Sequence, residues 1–448
     1  MENHPRVLTS HHHDAADSRI ARHATHHNGF MTTTPTAKHE HFMARALTLA
    51  QKAVGHTAPN PMVGAVIVKG GRIIAEGYHR RAGWPHAEVE VLRRARARAR
   101  GATLYVTLEP CNHVGRTPPC CDAIIAAGIS RVVVGTRDPN PMTNGRGLTR
   151  LRRAGIVVVT GVLEEEANEL IAPFRKVMRT GLPFLIAKIG QSVDGKIATT
   201  SGESRWITSA TARRLGHQWR SRVDAILVGV NTILRDDPLL TARSGTSRHR
   251  RPLKIILDSH LRTPPSAKCL SKRSSAPTLI ATTSTNPVKR ASLLRRGAEV
   301  LTLPAQHGRV PLRRLCQLVA RRGIHSILVE GGGEVLASAL TERLVDRVLV
   351  CIAPIIIGGR TAPSAVGGEG VTQLSQAIHL EGLMWRRLGP DLCVEARVVY
   401  PIVGTQGQRR EARSPGRKFL ETPLTPRPPG SPFTRAGAGT PLAPDLLL

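Results

Sequence analysis

The sequence predicts an α/β protein of two domains set between two disordered tails. Three observations carry that class. The chain has 448 residues, more than one compact core usually takes. Through its middle, Val/Ile/Leu-rich strand runs alternate with segments of helical apolar spacing. Aromatic residues make up only 3%, so cores must rest on Leu, Val, Ile and Ala, as the buried strands of parallel sheets do.

Residues 1–37 are polar and rich in His, including His11, His12 and His13, and lack apolar periodicity. They read as a disordered tail, with Met31 a second candidate start. Residues 40–53 read as a helix with Phe42, Ala46, Leu47 and Ala50 on one face. Residues 62–68 and 72–77 read as paired strands around Lys69-Gly70-Gly71. A helix over 86–98, a strand over 103–108, a helix over 118–127 and a strand over 131–135 follow. A strand over 155–161 and a helix from Glu164 close the first series. Gly181 and Pro183 end that helical region and mark the boundary. The second series has strands at 184–189, 225–230, 254–258, 278–281, 326–330 and 347–352, with a surface loop at 244–251. The domains are therefore 38–182 and 183–402, and the Pro/Gly/Arg-rich residues 403–448 form a second disordered tail. No internal repeat is visible.

Composition narrows the function classes. Hydrophobic residues at 41% and charged residues at 21% fit a globular interior. The longest apolar run, Val348 to Gly358, contains Pro354 and falls short of the roughly 18–20 residues a bilayer needs. No secretory signal core is present, so the cytosol is the default location and no membrane partner is expected. Seven cysteines, an odd number with three of them clustered, do not form a disulfide framework. The formal net charge of +32 invites a nucleic-acid reading. The excess is mostly Arg and is spread along the whole chain, so composition bias accounts for it and nucleic acid is not the expected partner. A homo-oligomer is compatible with the sequence.

The strongest chemical signal is His86-Ala87-Glu88, then Pro110-Cys111, then Pro119-Cys120. One His and two Cys suffice for a catalytic zinc, with the fourth position open for water. Zinc lowers the pKa of such a water to about 7 in a favourable site. Glu88, two residues beyond a ligand, suits a proton shuttle in nucleobase deamination. Pro85 and Pro118-Pro119 place His86 and Cys120 where helices begin, and a helix N-terminus favours a thiolate. Taken singly, each residue is as well explained by a cap or a buried small side chain; the set is not. Cys121 and His113 stand close enough in sequence to leave a fourth protein ligand open.

The spacing discriminates further, because eight residues separate Cys111 from Cys120 where the common deaminase signature has two. The run Thr107-Leu-Glu-Pro-Cys-Asn-His-Val-Gly-Arg-Thr-Pro-Pro-Cys-Cys121, with Ala58-Pro-Asn-Pro-Met-Val-Gly-Ala-Val66 and Asp138-Pro-Asn-Pro141, resembles the bifunctional riboflavin-biosynthesis deaminase–reductase family. The likeness covers roughly residues 40–400. It implies a cytidine-deaminase-like three-layer domain, with Asn60 contacting the pyrimidine. Residues 94–100, alternating Ala and Arg, depart from the family's more acidic helix end.

In the second half, Ser326-Ile-Leu-Val-Glu330-Gly-Gly-Gly333 before a helical run over 334–340 offers free amides to an anion. Alone this is weak. The segments Gly190–Lys196, Ser201–Ser209 and Gly229–Arg243 also resemble the family's reductase. The resemblance implies a dihydrofolate-reductase-like domain that binds NADPH without Rossmann glycines. Substrate would be lined by Ser204, Arg220, Asp236, Leu240, Arg243 and Glu330. Gly190, Trp206, Thr232 and Gly332 would hold the cofactor. Arg220 and Arg243 suit a phosphate, and Asp236 and Glu330 suit ribose hydroxyls. Lys188 is a further polar group beside the hydride acceptor. Asn231 and Arg347 depart from the family pattern outside the expected contacts.

The reading is therefore an enzyme with zinc and NADPH as cofactors and a phosphorylated pyrimidine as its small-molecule substrate. Zinc-dependent deamination of 2,5-diamino-6-(5-phosphoribosylamino)pyrimidin-4-one precedes reduction of the ribosyl to the ribityl chain. The rival is a tRNA or nucleotide deaminase with an unrelated partner domain. Because the motifs fall on either side of Gly181, the two activities are expected to separate.

Overall fold

The computed structural model describes residues 35–114, 118–243, 251–271 and 276–401. Most of the N-terminal tail, the C-terminal tail and the expected loop at 244–250 lie outside the described residues. Helix α1 (Pro35–Gln51) takes in residues 35–37, which the sequence reading gave to the tail. Once Phe42, Met43, Ala46 and Leu47 pack and nucleate the helix, each further turn adds hydrogen bonds at little cost.

Strands β1 (Gly64–Lys69) and β2 (Arg72–Tyr78) pair antiparallel around Gly70 and Gly71. Then come α2 (Ala87–Ala95), β3 (Thr103–Leu108), α3 (Cys120–Ala126), β4 (Arg131–Thr136), α4 (Arg146–Arg153), β5 (Val157–Thr160) and α5 (Glu164–Leu170). The sheet order is β2-β1-β3-β4-β5; β1 runs antiparallel to β3, and β3, β4 and β5 are parallel. Strand alternation sends Ala65, Ile67, Leu104, Val106, Val132 and Val134 to one face with Val91, Ile124 and Leu148. Val66, Val68, Tyr105 and Val133 face the other way, onto Met43, Ala46 and Ala167. Helices on both faces make three layers. The expected helix over 86–98 is cut short: α2 stops at Ala95, and Arg96 has a φ of 52°.

Helix α6 (Ala172–Thr180) ends at Gly181, whose φ of 69° lets its N–H reach the Val177 carbonyl at 2.8 Å. The second series is β6 (Phe184–Ser192), α7 (Ala210–Arg222), β7 (Ala225–Gly229), α8 (Val230–Asp236), β8 (Leu253–Leu257), β9 (Thr278–Thr282), α9 (Pro287–Arg295), β10 (Glu299–Thr302), α10 (Leu312–Arg321), β11 (Ser326–Val329), α11 (Gly333–Thr341) and β12 (Val345–Ala353), ending in the hairpin β13 (His379–Leu388) and β14 (Asp391–Val399). The sheet order is β10-β9-β8-β7-β11-β6-β12-β14-β13. It is parallel from β10 to β12, and the hairpin adds antiparallel. Strands β7, β9 and β11 are wholly buried, since helices cover both faces.

The two series touch through polar contacts. Lys176 of α6 donates to Asp346 at 2.5 Å and to the Leu344 carbonyl at 2.9 Å. Arg347, expected to lie outside the substrate and cofactor contacts, pairs with Glu169 of α5 and with Glu395 of β14. Among the described residues no helix is long and apolar enough to cross a membrane.

Candidate active sites

His86 is the N-cap of α2, and Cys120 is the first residue of α3. Cys111 lies in the loop that leaves β3. The ligand atoms of these three residues all lie within 4.8 Å of one another. His86 Nδ1 is 3.2 Å from Cys120 Sγ and 3.7 Å from Cys111 Sγ. Ligands on one tetrahedral zinc, with bonds of about 2.0–2.3 Å, sit about 3.5–3.8 Å apart, so the trio fits that ion. The Cys111 thiol is held down to about 4, chiefly because Cys120 and His86 hydrogen-bond to it. The hydrogen bond with Cys111, together with burial, pushes the Cys120 thiol up; on a zinc ion both sulfurs would be thiolates.

Among the described residues the ligand atoms of His86, Cys111 and Cys120 cluster without either candidate for a fourth ligand, although His113 lines the same cavity. Cys121, fully buried, points its Sγ to the Pro110 and Gly147 carbonyls at 3.5 and 3.7 Å. Burial pushes that thiol up to about 12. The His113 ring lies 3.4 Å from Thr143 Oγ1. Three protein ligands with one open position is the catalytic pattern.

His86 and Cys111 open into a cavity of about 310 Å³, lined also by Asn60, His79, Trp84, Glu88 and Phe174, with Cys120 buried behind them. Glu88 is 4% exposed, and its burial pushes the carboxyl above its ordinary range; a neighbouring dication opposes that shift. Asn60 Nδ2 donates to His79 Nε2 at 3.1 Å. His79 Nδ1 in turn lies 3.0 Å from the Pro85 carbonyl, one residue before the ligand His86. That chain fixes the imidazole as the Nδ1–H tautomer and turns Asn60 Oδ1 away from it. Glu109 is 3% exposed and accepts the N–H groups of Asp138, Gly145, Gly147 and Leu148 at 2.9–3.4 Å. A buried carboxylate thus caps α4 and anchors the 138–148 loop to the end of β3. Gly147 has to be glycine, because a Cβ there would lie 2.2 Å from the Pro110 carbonyl oxygen.

A second cavity, of about 750 Å³, lies at the C-terminal ends of the parallel strands. Gly190, Ser204, Trp206, Arg220, Thr232, Asp236, Leu240, Arg243, Glu330 and Gly332 all line it, as does Lys188. Ser204 Oγ donates to Asp236 at 3.0 Å. Arg213 stacks 4.3 Å over the exposed Trp206 ring. Gly332 caps α11, with Gly331 held close under Val335. Arg220 differs from expectation: Glu330 and the Thr241 carbonyl already engage its guanidinium.

Comparison with known proteins follows the same division. Residues 36–136 match the cytidine and deoxycytidylate deaminase zinc-binding region, and residues 183–394 match the RibD C-terminal domain. The chain is 42% identical to the riboflavin biosynthesis protein RibD of Actinobacillus pleuropneumoniae, over 84% of this chain and 98% of that one. It is 43% identical to RibD of Escherichia coli, over 79% and 98%. The chain belongs to the RibD family. Among solved structures, Acinetobacter baumannii RibD superposes with a TM-score of 0.74 at 35% identity, covering 81% of this chain and 99% of that one. A Thermotoga maritima diaminohydroxyphosphoribosylaminopyrimidine deaminase/5-amino-6-(5-phosphoribosylamino)uracil reductase gives 0.71 at 36%, covering 81% and 99%.

RibD membership makes this chain a riboflavin-biosynthesis enzyme with a zinc-binding deaminase domain followed by a reductase domain. It argues against a deaminase fused to an unrelated partner. Sequence reasoning missed His79, Glu109 and Phe174. His79, in the Gly77-Tyr78-His79 run at the end of β2, carried no spacing that tied it to Asn60.

Proposed function

We propose that this RibD-family chain deaminates 2,5-diamino-6-(5-phosphoribosylamino)pyrimidin-4-one in its first half. The second half then reduces the product's ribosyl chain to ribityl with NADPH. One observation carries the reading. A His/Cys/Cys cluster and a buried carboxylate meet at one cavity, which His86, Cys111 and Glu88 line, and the reductase residues named for substrate and cofactor line another.

His86, Cys111 and Cys120 would hold zinc, which supplies a nucleophilic water near neutral pH. Glu88 takes the proton released from that water and gives it to the ring nitrogen. It then takes the proton of the hydroxyl added to the ring carbon and passes it to the departing amine as the carbonyl forms, so one water enters and one ammonia leaves. Asn60, held by His79, presents Oδ1 to the pyrimidine edge. NADPH, when bound in the second cavity, would supply the hydride that C1′ needs, and the ribose ring oxygen would leave that carbon as a hydroxyl, taking its proton from solvent. Trp206, Thr232, Gly190 and the Gly332 turn seat the cofactor. Asp236, fixed by Ser204, reads ribose hydroxyls, and Arg243 meets the phosphate. Lys188 supplies a polar group beside the acceptor carbon.

The test gives the purified, zinc-loaded chain the phosphoribosyl diaminopyrimidine and follows ammonia release and NADPH oxidation. The reading requires both, with oxidation dependent on prior deamination. Release of ammonia from tRNA instead would sink it.

A further inference from the structure

The deaminase cavity is lined by residues of the first half alone, but part of its wall also faces the reductase half. Phe174, from the linker helix α6, lines it beside Asn60 and Pro61. The same three residues line a smaller cavity, of about 60 Å³, whose opposite wall includes Arg222, Asp224, His325 and Ser326 of the reductase half. The Phe174 and His325 rings lie 6.1 Å apart, centroid to centroid. Gly323 also approaches the deaminase loop, with its Cβ direction 3.5 Å from Pro59 Cβ.

His325 is itself firmly placed. It is 6% exposed, and its N–H and that of Ser326 both donate to Asp224 Oδ2, at 3.0 and 2.9 Å. Its carbonyl accepts from the Phe184 N–H at 2.8 Å, at the start of β6. Phe174, by contrast, is half-buried on a nine-residue helix with no buried residue of its own. The rigid partner of the contact therefore belongs to the reductase, and the adaptable one faces the deaminase pocket.

We infer that His325 is a positioning residue of the deaminase, acting from the other domain by holding Phe174 as a wall of the pyrimidine pocket. The inference rests on the proposed deamination. The loop at Pro59–Asn60 and the ring of Phe174 both line the pocket, and both approach residues 323–325. A displaced wall leaves the zinc, Glu88 and the chemical step intact and weakens the seating of the ring. The deaminase half holds its chemistry and lines its own pocket, and the reductase braces one wall of it from behind.

The experiment uses the full-length, zinc-loaded chain with Phe174→Ala, His325→Ala and the milder Phe174→Leu and His325→Gln. Deaminase KM should rise about tenfold with either Ala variant, the size expected for a lost apolar pocket contact. Deaminase kcat, zinc content, and reductase kinetics on the deaminated substrate should stay within about twofold of wild type, an effect too small to change the transition-state energy materially. Phe174→Leu should restore most of the KM. Because the two residues act through one contact, adding His325→Ala to Phe174→Ala should raise KM no further. Unchanged KM in both single variants overturns the inference, as do fully additive effects or a fall in kcat with loss of zinc. If an Ala variant loses the reductase as well, the Leu and Gln variants decide by the same KM criterion. A wild-type chain that releases no ammonia would instead refute the proposed function itself.

Discussion

Arg220 and Glu330, 110 residues apart, meet in a two-bond ion pair on the wall of the reductase cavity, Nε to Oε1 at 2.9 Å and Nη2 to Oε2 at 2.5 Å. Burial works to raise the Glu330 carboxyl, but the guanidinium outweighs it and holds the acid below its ordinary range. Arg220 also donates to the Thr241 carbonyl at 3.2 Å. Arg243 is exposed, and among the described residues its side chain has a 3.4 Å hydrogen bond to Thr241 Oγ1. The two arginines offered to the phosphate by the sequence are therefore unequal.

Their substitutions should separate accordingly. Arg243→Ala should raise the reductase KM for the phosphorylated substrate by about 10- to 150-fold, the worth of a charge-assisted bond of about 1.5–3 kcal/mol. A dephosphorylated analogue should show no such change. Arg220→Ala should instead strand a buried carboxylate and destabilise the fold by about 3–5 kcal/mol, read as a lowered denaturant midpoint. Arg220→Met with Glu330→Gln should recover part of that loss. An Arg220→Ala protein of wild-type stability would refute the assignment.

Zinc should leave with one of the adjacent cysteines and not the other. Cys120→Ser should lose most of the bound metal in elemental analysis. Cys121→Ser should keep it, since its sulfur faces two backbone carbonyls. The reverse result would place the ligand set one residue further along α3.

Glu88→Gln keeps the size of the side chain and removes the proton shuttle. Deaminase kcat should fall by about 10²–10⁴-fold, the usual contribution of a positioned acid–base group. Zinc content and reductase turnover should match wild type. Near-normal ammonia release from the zinc-loaded variant would overturn the mechanism while leaving the zinc site standing.

Lys254 lies 1% exposed within β8, and burial lowers its pKa from 10.5 to about 8. The unfolded chain therefore binds more protons than the folded one between those two values. Stability contributed by this residue should rise as pH increases from about 8 to 10.5 and be flat below 8. The slope of unfolding free energy against pH in that window should shrink in Lys254→Met. An unchanged slope would show that the ammonium is not desolvated in the folded state.

Much of the fold was legible in the chain because its strands are buried on both faces. Runs such as Ala225–Gly229 and Ser326–Val329 are continuous apolar stretches that periodicity detects. Helix α4 escaped because Arg150, Arg152 and Arg153 surround the two leucines that it buries. The hairpin of β13 and β14 escaped for a related reason. All but the last residue of β13 are exposed, so no alternation marks it. Helix α2 was drawn too long because alternating Ala and Arg favour a helix, whereas the backbone turns at Arg96.

The sequence by itself pointed to the His/Cys/Cys cluster through residue types and spacing, and through its family resemblance to the residues that line the second cavity. Tertiary structure alone decided which neighbouring residue takes part. Cys120 and Cys121 are indistinguishable by spacing, but successive residues on a helix point about 100° apart, so one sulfur meets His86 and the other is buried under α4. It also decided the long-range pairs: Asn60 with His79, Arg220 with Glu330, Phe174 with His325. Such pairs have no local signature, because a side chain's partner across a core is set by how layers pack and not by its place in the chain.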